Sequence, residues 1–77
     1  MITTNNLKRA GFDRGEKRIY GDGWVRSWTI KPRESIEIEV SESSDKEYNT
    51  WLIFHDNPVR LYLTTVTDLL TLEKLLK

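Results

Sequence analysis

Eight basic side chains crowd the first 33 residues of the chain, and aromatic residues are interspersed among them. The basic residues are Lys8, Arg9, Arg14, Lys17, Arg18, Arg26, Lys31 and Arg33, and the aromatic ones are Tyr20, Trp24 and Trp28. Basic grooves with aromatic platforms hold single-stranded nucleic acid, because the cations neutralise phosphates while the bases stack on the rings. The same cations suit an acidic protein surface. The pattern therefore predicts a binding surface in this half of the chain, with Arg14, Lys17, Arg18, Arg26, Lys31 and Arg33 as its charged members.

The charge of the chain is unevenly divided along its length. The net charge is zero, but residues 1–33 carry +5 and residues 34–77 carry −5. A folded sheet can interleave the two halves, so that oppositely charged neighbouring strands cancel each other. Alternatively, the asymmetry marks a basic face for nucleic acid or for an acidic partner. Zero net charge and the lack of an RNP-like motif are atypical of a dedicated nucleic-acid binder.

No combination of residues predicts catalysis. The only histidine, His55, lies between a strand-like run and a turn, and no serine stands in a nucleophile motif. The chain has no cysteine, and Glu37 and Glu39 fit a solvated strand face better than a metal site. Gly21-Asp22-Gly23 is typical of a hairpin turn rather than of a phosphate-binding loop. We expect a protein that is not an enzyme and that holds neither a metal nor another cofactor.

Length and hydropathy limit the architecture. The chain of 77 residues has room for one modest core, so residues 1–77 are expected to form a single domain. No apolar run approaches the roughly 20 residues that span a bilayer, and residues 1–11 lack the apolar stretch of a signal peptide. We therefore expect no membrane association and a location in the cytoplasm.

Periodicity predicts an α+β fold, in which a small antiparallel β-meander of four or five strands lies between a short N-terminal helix and an amphipathic C-terminal helix. Thr3 is the expected N-cap of a helix over Thr4–Ala10, and Thr65 or Thr67 that of a helix from about Val66. The alternation of apolar and polar residues predicts strands at 17–20, 24–31, 35–41, 48–55 and 59–63. Turns are expected at 13–16, 21–23, 32–33 and 56–58, and a mobile polar loop at 42–47.

The C-terminal helix is expected to cover one face of the sheet. Its leucines recur at helical spacing, which turns one stripe of the helix toward the strands. The predicted core joins Leu69, Leu72 and Leu76 to Trp28, Ile36, Ile38, Val40 and Ile53.

Four features carry a resemblance to a known group of proteins. They are Asn6–Phe12, a tyrosine-rich strand, the strand containing Trp51-Leu52-Ile53, and the helix beginning Val66-Thr67-Asp68-Leu69. This arrangement resembles small proteins of Bacteroidetes phages and mobile elements, in which similar terminal segments bracket a small sheet. The resemblance implies a short phage accessory protein, and some such proteins resemble inhibitors of host defence, including anti-CRISPR proteins.

Three functions follow as hypotheses. The first is a non-catalytic inhibitor, located in the cytoplasm of a bacterial host cell, that binds a protein or ribonucleoprotein partner such as a CRISPR effector nuclease or its guide-RNA complex. The second is a small module that binds single-stranded nucleic acid, RNA included. The third is a structural accessory protein of a phage assembly.

Overall fold

The computed structural model describes all residues from Met1 to Lys77. Its elements in chain order are α1 (Thr4–Arg9), β1 (Asp13–Arg14), β2 (Arg18–Tyr20), β3 (Gly23–Arg33), β4 (Ile36–Ser43), β5 (Tyr48–Phe54), β6 (Asn57–Leu61) and α2 (Val66–Leu76). The predicted α+β class with a helix at each end of an antiparallel sheet is confirmed. The sheet has six strands rather than four or five. The strand expected at residues 17–20 is present as β2, and the additional strand is β1, at residues 13–14, where a turn was expected.

The long strand β3 organises the sheet. The strand order is β1-β3-β4-β5-β6, and β2 pairs with the same strand β3 as β1 does. All five pairings are antiparallel. From β2 onward each strand pairs with the next one in the chain, as in a meander built from hairpins. One edge of the sheet is therefore formed by β1 and β2, and the opposite edge by β6.

The two faces of the sheet differ because side chains alternate along each strand. In β4, Ile36, Ile38 and Val40 are buried, whereas Glu37 and Glu39 are half-buried on the other side. Both helices contribute to the core on the first side, which we call the helix-covered face. The side that carries Glu37 and Glu39 is called the open face.

The core joins the two ends of the chain across the centre of the sheet. Leu7 of α1 and Leu69 of α2 are fully buried, and so is Trp28 of β3. They belong to one cluster with Ile2, Phe12, Ile38, Val40 and Val66. The helices are capped at their N-termini, because the Thr3 and Thr65 hydroxyls accept hydrogen bonds from the backbone N–H groups of Asn6 and Asp68, the third residues of α1 and α2.

Besides the turn expected at residues 13–14, four local predictions were wrong. Ile53 pairs with Glu37 and therefore lies on the open face, outside the predicted core. Residues 32–33 continue β3 past an irregularity instead of forming a turn, and Glu42 belongs to β4 instead of a mobile loop. The last hairpin turns at residues 55–56, so residues 57–58 already lie in β6.

Neither helix has the length and apolar character needed to cross a membrane.

Candidate functional site

The candidate site lies where β1 and β2 meet the outer edge of β3. β1 pairs with β3 at residues 28–29, and β2 pairs with it at residues 23–25. Between the two pairings the chain crosses residues 26–27 of β3 without forming strand structure. This break leaves a groove of about 320 Å³ whose lining includes Lys17, Arg18 and Arg26. Together with Arg14, these three side chains form what we call the basic edge.

Gly15 allows the chain to cross β3 closely at the break. Its backbone N–H donates a 2.8 Å hydrogen bond to the Ser27 carbonyl oxygen. A Cβ atom at position 15 would lie only 2.6 Å from that same oxygen, closer than nonbonded atoms can approach. Only glycine therefore lets residues 14 to 18 pass so near to the strand that carries Arg26.

Tryptophan rings order the cations of the basic edge. The Lys17 Nζ atom lies 4.5 Å from the centre of the Trp24 ring, and Arg26 Cζ lies 5.6 Å from the same ring. Arg14 Cζ lies 6.0 Å from the ring of Trp28, its cross-strand partner. Each such contact contributes about 0.5–1 kcal/mol at an exposed position. The rings thus hold three positive charges in place along one edge of the sheet.

The charges of the basic edge are not neutralised by direct ion pairs. The only ion pair within 4.0 Å in the protein joins Lys77 and Glu73 of the C-terminal helix, at 3.7 Å. Arg14, Lys17 and Arg18 are exposed, so their charged groups are accessible to a partner. Free and partly ordered cations of this kind favour the binding of an acidic surface.

The structure separates the remaining two predicted site residues from the basic edge. Lys31 and Arg33 lie at the other end of β3, with Arg33 about 23 Å along the strand from Arg26 at roughly 3.3 Å per residue. Arg33 Nε donates a 2.9 Å hydrogen bond to the Leu76 carbonyl oxygen at the end of α2. Arg33 therefore helps to cap a helix. Of the six predicted residues, four are brought together and two are not.

A buried carboxylate, Glu42, supports the basic edge from the helix-covered face. Its Oε1 accepts a 3.0 Å hydrogen bond from the Trp28 indole N–H, and its Oε2 accepts bonds of 2.7 Å from Thr4 and 2.9 Å from the Tyr48 hydroxyl. Arg26 is its cross-strand partner in β3. The network joins α1, β3, β4 and β5 through a single side chain that is 6% exposed.

The ionisation of Glu42 reflects this environment. Burial raises the pKa of the carboxyl, but the hydrogen bonds from Thr4, Trp28 and Tyr48 and the charge of Arg26 outweigh that effect. The pKa of Glu42 therefore lies below its ordinary value, and the group is an anion at neutral pH. Because Arg26 faces this anion, it contributes less free positive charge to the basic edge than Arg14, Lys17 and Arg18 do.

Sequence reasoning missed Glu42 although a signal was present. The alternation that turns Ile36, Ile38 and Val40 inward continues to position 42 if the strand is extended by two residues. The polar composition of residues 42–47 instead predicted a loop. A buried acid at the end of an apolar alternation is the pattern that would have identified it.

A second group on the open face was also not predicted. The Arg60 guanidinium lies 5.4 Å from the ring centres of both Trp51 and Tyr62, and its Nη2 donates a 2.6 Å hydrogen bond to Asn49. Tyr62 is 84% exposed. Cross-strand pairing places Trp51 directly beside Glu39, so this aromatic group borders acidic side chains.

No group of three or more histidine, cysteine, aspartate or glutamate residues is arranged to hold a metal ion. The chain matches no protein family model, and no curated protein and no solved structure is significantly similar to it. The resemblance to small phage proteins stays a prediction.

Proposed function

We propose that the protein is a non-catalytic binding protein whose basic edge binds an acidic surface of a protein or ribonucleoprotein partner. The observation that carries the proposal is the set of exposed cations at one edge of the sheet that are free of ion pairs and partly held against tryptophan rings. Such cations steer an acidic partner toward the site and lose less side-chain entropy when it binds.

An acidic surface suits the basic edge better than a stacked single strand of nucleic acid does. Base stacking needs accessible aromatic faces. Trp28 is fully buried, and a base that stacked over Trp24 on the side of Lys17 or Arg26 would have to displace that cation. Tyr20 at the end of β2 is 63% exposed and is the one aromatic ring at this edge that is open to a base. The edge therefore offers several charges but a single stacking platform.

The proposal includes no catalytic step. The single histidine, His55, lies in the turn between β5 and β6, at the opposite side of the sheet from the basic edge. A hydrolytic site needs a base within hydrogen-bond reach of a nucleophile, and the basic edge contains cations and tryptophans instead.

In its specific form, the proposal is that the protein inhibits a bacterial defence nuclease by occupying it or its guide-RNA complex. This form rests on the resemblance to phage accessory proteins. The basic edge is compatible with it, because a nuclease that carries guide RNA offers both acidic protein surface and phosphate.

One observation supports a second candidate function, the binding of single-stranded nucleic acid on the open face. Tyr62 and Trp51 flank Arg60 there, and the Tyr62 ring is exposed, so a base could stack beside a guanidinium that contacts phosphate. The nearby Glu37 and Glu39 oppose an anionic ligand, which is why we place this function second.

The experiment is affinity capture of partners from a bacterial lysate, with and without ribonuclease, using three forms of the protein. The first is the wild type, the second reverses Arg14, Lys17 and Arg18 to Glu, and the third reverses Lys31, Lys46 and Lys74 to Glu. Both variants change the net charge by the same amount, and circular dichroism checks that both remain folded.

We expect a partner that is retained after ribonuclease treatment, kept by the control variant and lost by the Arg14/Lys17/Arg18 variant. Recovery of a CRISPR nuclease, together with inhibition of its cleavage, would support the specific form. Equal capture by the two variants would refute the basic edge as the site. Capture that depends on Tyr62, with log affinity falling by about 0.7 per contacted phosphate per log unit of salt, would instead support the second candidate.

A further inference from the structure

The break between β1 and β2 leaves one backbone donor of β3 without a partner. The pairing of β1 with β3 ends at Arg14, and the pairing of β2 begins at Arg18. Between them, Gly15 donates its N–H to the Ser27 carbonyl oxygen. The Ser27 N–H points to the same side of the strand as that carbonyl, yet no group of the protein accepts a hydrogen bond from it. A free backbone donor therefore faces the groove at the break, which Ser27 lines.

Arg26, the residue before Ser27, adds a second unused donor to this groove. Its Nε is shielded from solvent and has no hydrogen-bond partner. The Glu42 carboxylate belongs to its cross-strand partner, but no ion pair within 4.0 Å joins the two side chains. A buried donor without an acceptor costs free energy of folding, and a guanidinium carries its donors in a planar fork that matches an oxyanion. Arg26 is therefore left with donors that an anionic ligand could engage.

Cations reach the groove from both faces of the sheet. Arg26 belongs to the helix-covered face, and Lys17 lies against the same Trp24 ring that Arg26 contacts. Arg18 pairs with Val25, whose side chain belongs to the open face because it is next to Arg26 in the strand. A group that enters the break at the edge of the sheet thus has positive charge on either side of it.

The charge of the groove favours a phosphate monoester over a carboxylate. Lys17, Arg18 and Arg26 line it together with a single acid, Glu16, which leaves an excess of two positive charges. A phosphate monoester carries about −1.5 to −2 charges at pH 7 and has three acceptor oxygens, so it can accept bonds from several directions at once. A carboxylate has one negative charge and two oxygens in one plane. The groove of about 320 Å³ has room for the larger group.

We propose that the groove at the break is a phosphate pocket, in which a phosphorylated side chain of the partner protein meets the Ser27 N–H and the cations Lys17, Arg18 and Arg26. The proposal rests on the proposed function, since it names the acidic group that the basic edge binds. Arg14 does not line the groove, so it attracts the partner only through its charge. Binding would then depend on phosphorylation of the partner, which makes the interaction switchable.

The test is an NMR titration of the full, isotopically labelled chain with N-acetyl-phosphoserine amide, read at the Ser27 amide. Ionic strength is held constant, because salt screens exposed charges. We expect a saturable shift with a dissociation constant on the order of 1 mM, and binding of N-acetyl-glutamate amide that is at least about tenfold weaker. No shift at Ser27, or equal binding of the two probes, would overturn the phosphate pocket. Tighter binding of uridine monophosphate would overturn the choice of a phosphorylated protein.

Two double variants separate the pocket from the general charge of the edge. Lys17→Gln/Arg18→Gln removes two cations of the groove, whereas Arg9→Gln/Arg14→Gln removes two cations that do not line it. The first should raise the dissociation constant at least about tenfold and the second less than about twofold. Arg26→Lys keeps the charge but loses the planar fork, so it should also weaken binding. Circular dichroism checks that the variants fold. Equal weakening by the two double variants would overturn the pocket.

The two proposals can fail separately. Partner capture that is lost in the Arg14/Lys17/Arg18 variant, without any shift of Ser27 by the phosphoserine probe, would keep the basic edge as the binding surface and overturn the pocket. A saturable shift that is sensitive to Lys17→Gln/Arg18→Gln, with unchanged partner capture, would keep the pocket and refute the basic edge as the site for the captured partner.

Discussion

Trp28 donates its indole N–H to Oε1 of Glu42 over 3.0 Å, and both side chains are buried. Burying an indole N–H or a carboxylate without a hydrogen-bond partner costs free energy of folding. The bond between the two side chains offsets that cost for both. The same tryptophan carries Arg14 on its ring. The bond thus connects the interior of the protein to the basic edge.

Replacing Glu42 by Gln should destabilise the protein by about 1–3 kcal/mol at pH 7, because the charge-assisted hydrogen bonds become neutral ones. Since folding lowers the pKa of Glu42, its ionised form stabilises the native state above the ordinary value of 4.5. That contribution is lost as the pH falls through the lowered pKa of the folded state. The difference between wild type and variant should therefore shrink in acid.

Urea denaturation of wild type and variant at neutral and strongly acidic pH measures this difference. Glu37→Gln on the open face serves as the control and should change stability by less than about 0.5 kcal/mol. A difference between wild type and Glu42→Gln that stays constant with pH would contradict the role assigned to the carboxylate.

Gly15→Ala should disrupt the crossing between β1 and β2. The new methyl group would meet the Ser27 carbonyl oxygen at 2.6 Å, so the chain must move away and lose the hydrogen bond between these residues. We expect a loss of about 1–3 kcal/mol and faster amide exchange at residues 13–18. Gly21→Asn is the control, because its φ of +54° suits asparagine and no atom lies within 4 Å of the added Cβ. Unchanged exchange in Gly15→Ala would show that the crossing is looser than described.

The hairpin between β5 and β6 is not built from optimal residues. His55 and Asp56 both have positive φ values, 49° and 68°, which two-residue hairpin turns commonly require and which favour Asn-Gly. Changing the pair to Asn-Gly should stabilise the protein by about 1 kcal/mol and raise Tm by about 4–8 °C. Thermal denaturation measures the shift. No increase in Tm would mean that His55 or Asp56 makes contacts that offset the backbone strain.

The leucines of α2 should differ in their contribution to stability. Leu69 is fully buried, whereas Leu72 is half-buried at the margin of the core. Leu69→Ala should therefore cost about 2–5 kcal/mol, and Leu72→Ala clearly less. Chemical denaturation of the two variants compares them directly. An equal or larger loss in Leu72→Ala would place the helix in a different rotation.

Local patterns predicted what depends on neighbours in sequence. The alternation around Ile38 identified β4, and Thr3 was recognised as an N-cap because capping needs only the next few residues. For α2 the sequence left Thr65 and Thr67 as alternatives, and Thr65 is the cap. The Pro32 region was misread because an irregularity at the end of β3 accommodates proline where a turn was expected. Local signals could not show how the chain is arranged beyond such segments.

The sequence identified the basic residues of the candidate site but not which of them lie close together. Arg14 and Arg18 come close to Arg26 because β1 and β2 both pair with β3, a relation between distant residues that no local pattern contains. Arg33 carries the same charge but lies at the far end of a strand of 11 residues, beside the end of α2. Ile53 was assigned to the core because it is apolar. Its pairing with Glu37, which places it on the open face, is a relation between strands that the local sequence does not contain.

The core is completed by α2, whose residues are synthesised after those of all six strands. At about 5–20 residues per second, the 15 residues from Leu61 to Leu76 take roughly one to three seconds to make, whereas a hairpin forms in about 1–10 µs. A chain that reaches only to Leu61 therefore contains all six strands but lacks Leu69, which completes the core with Ile38 and Val40. Without α2 the apolar side chains of the helix-covered face are exposed, and chains that end at Leu61 should be protease-sensitive and bound by chaperones. The faster α2 is made, the shorter the time in which the nascent protein can aggregate.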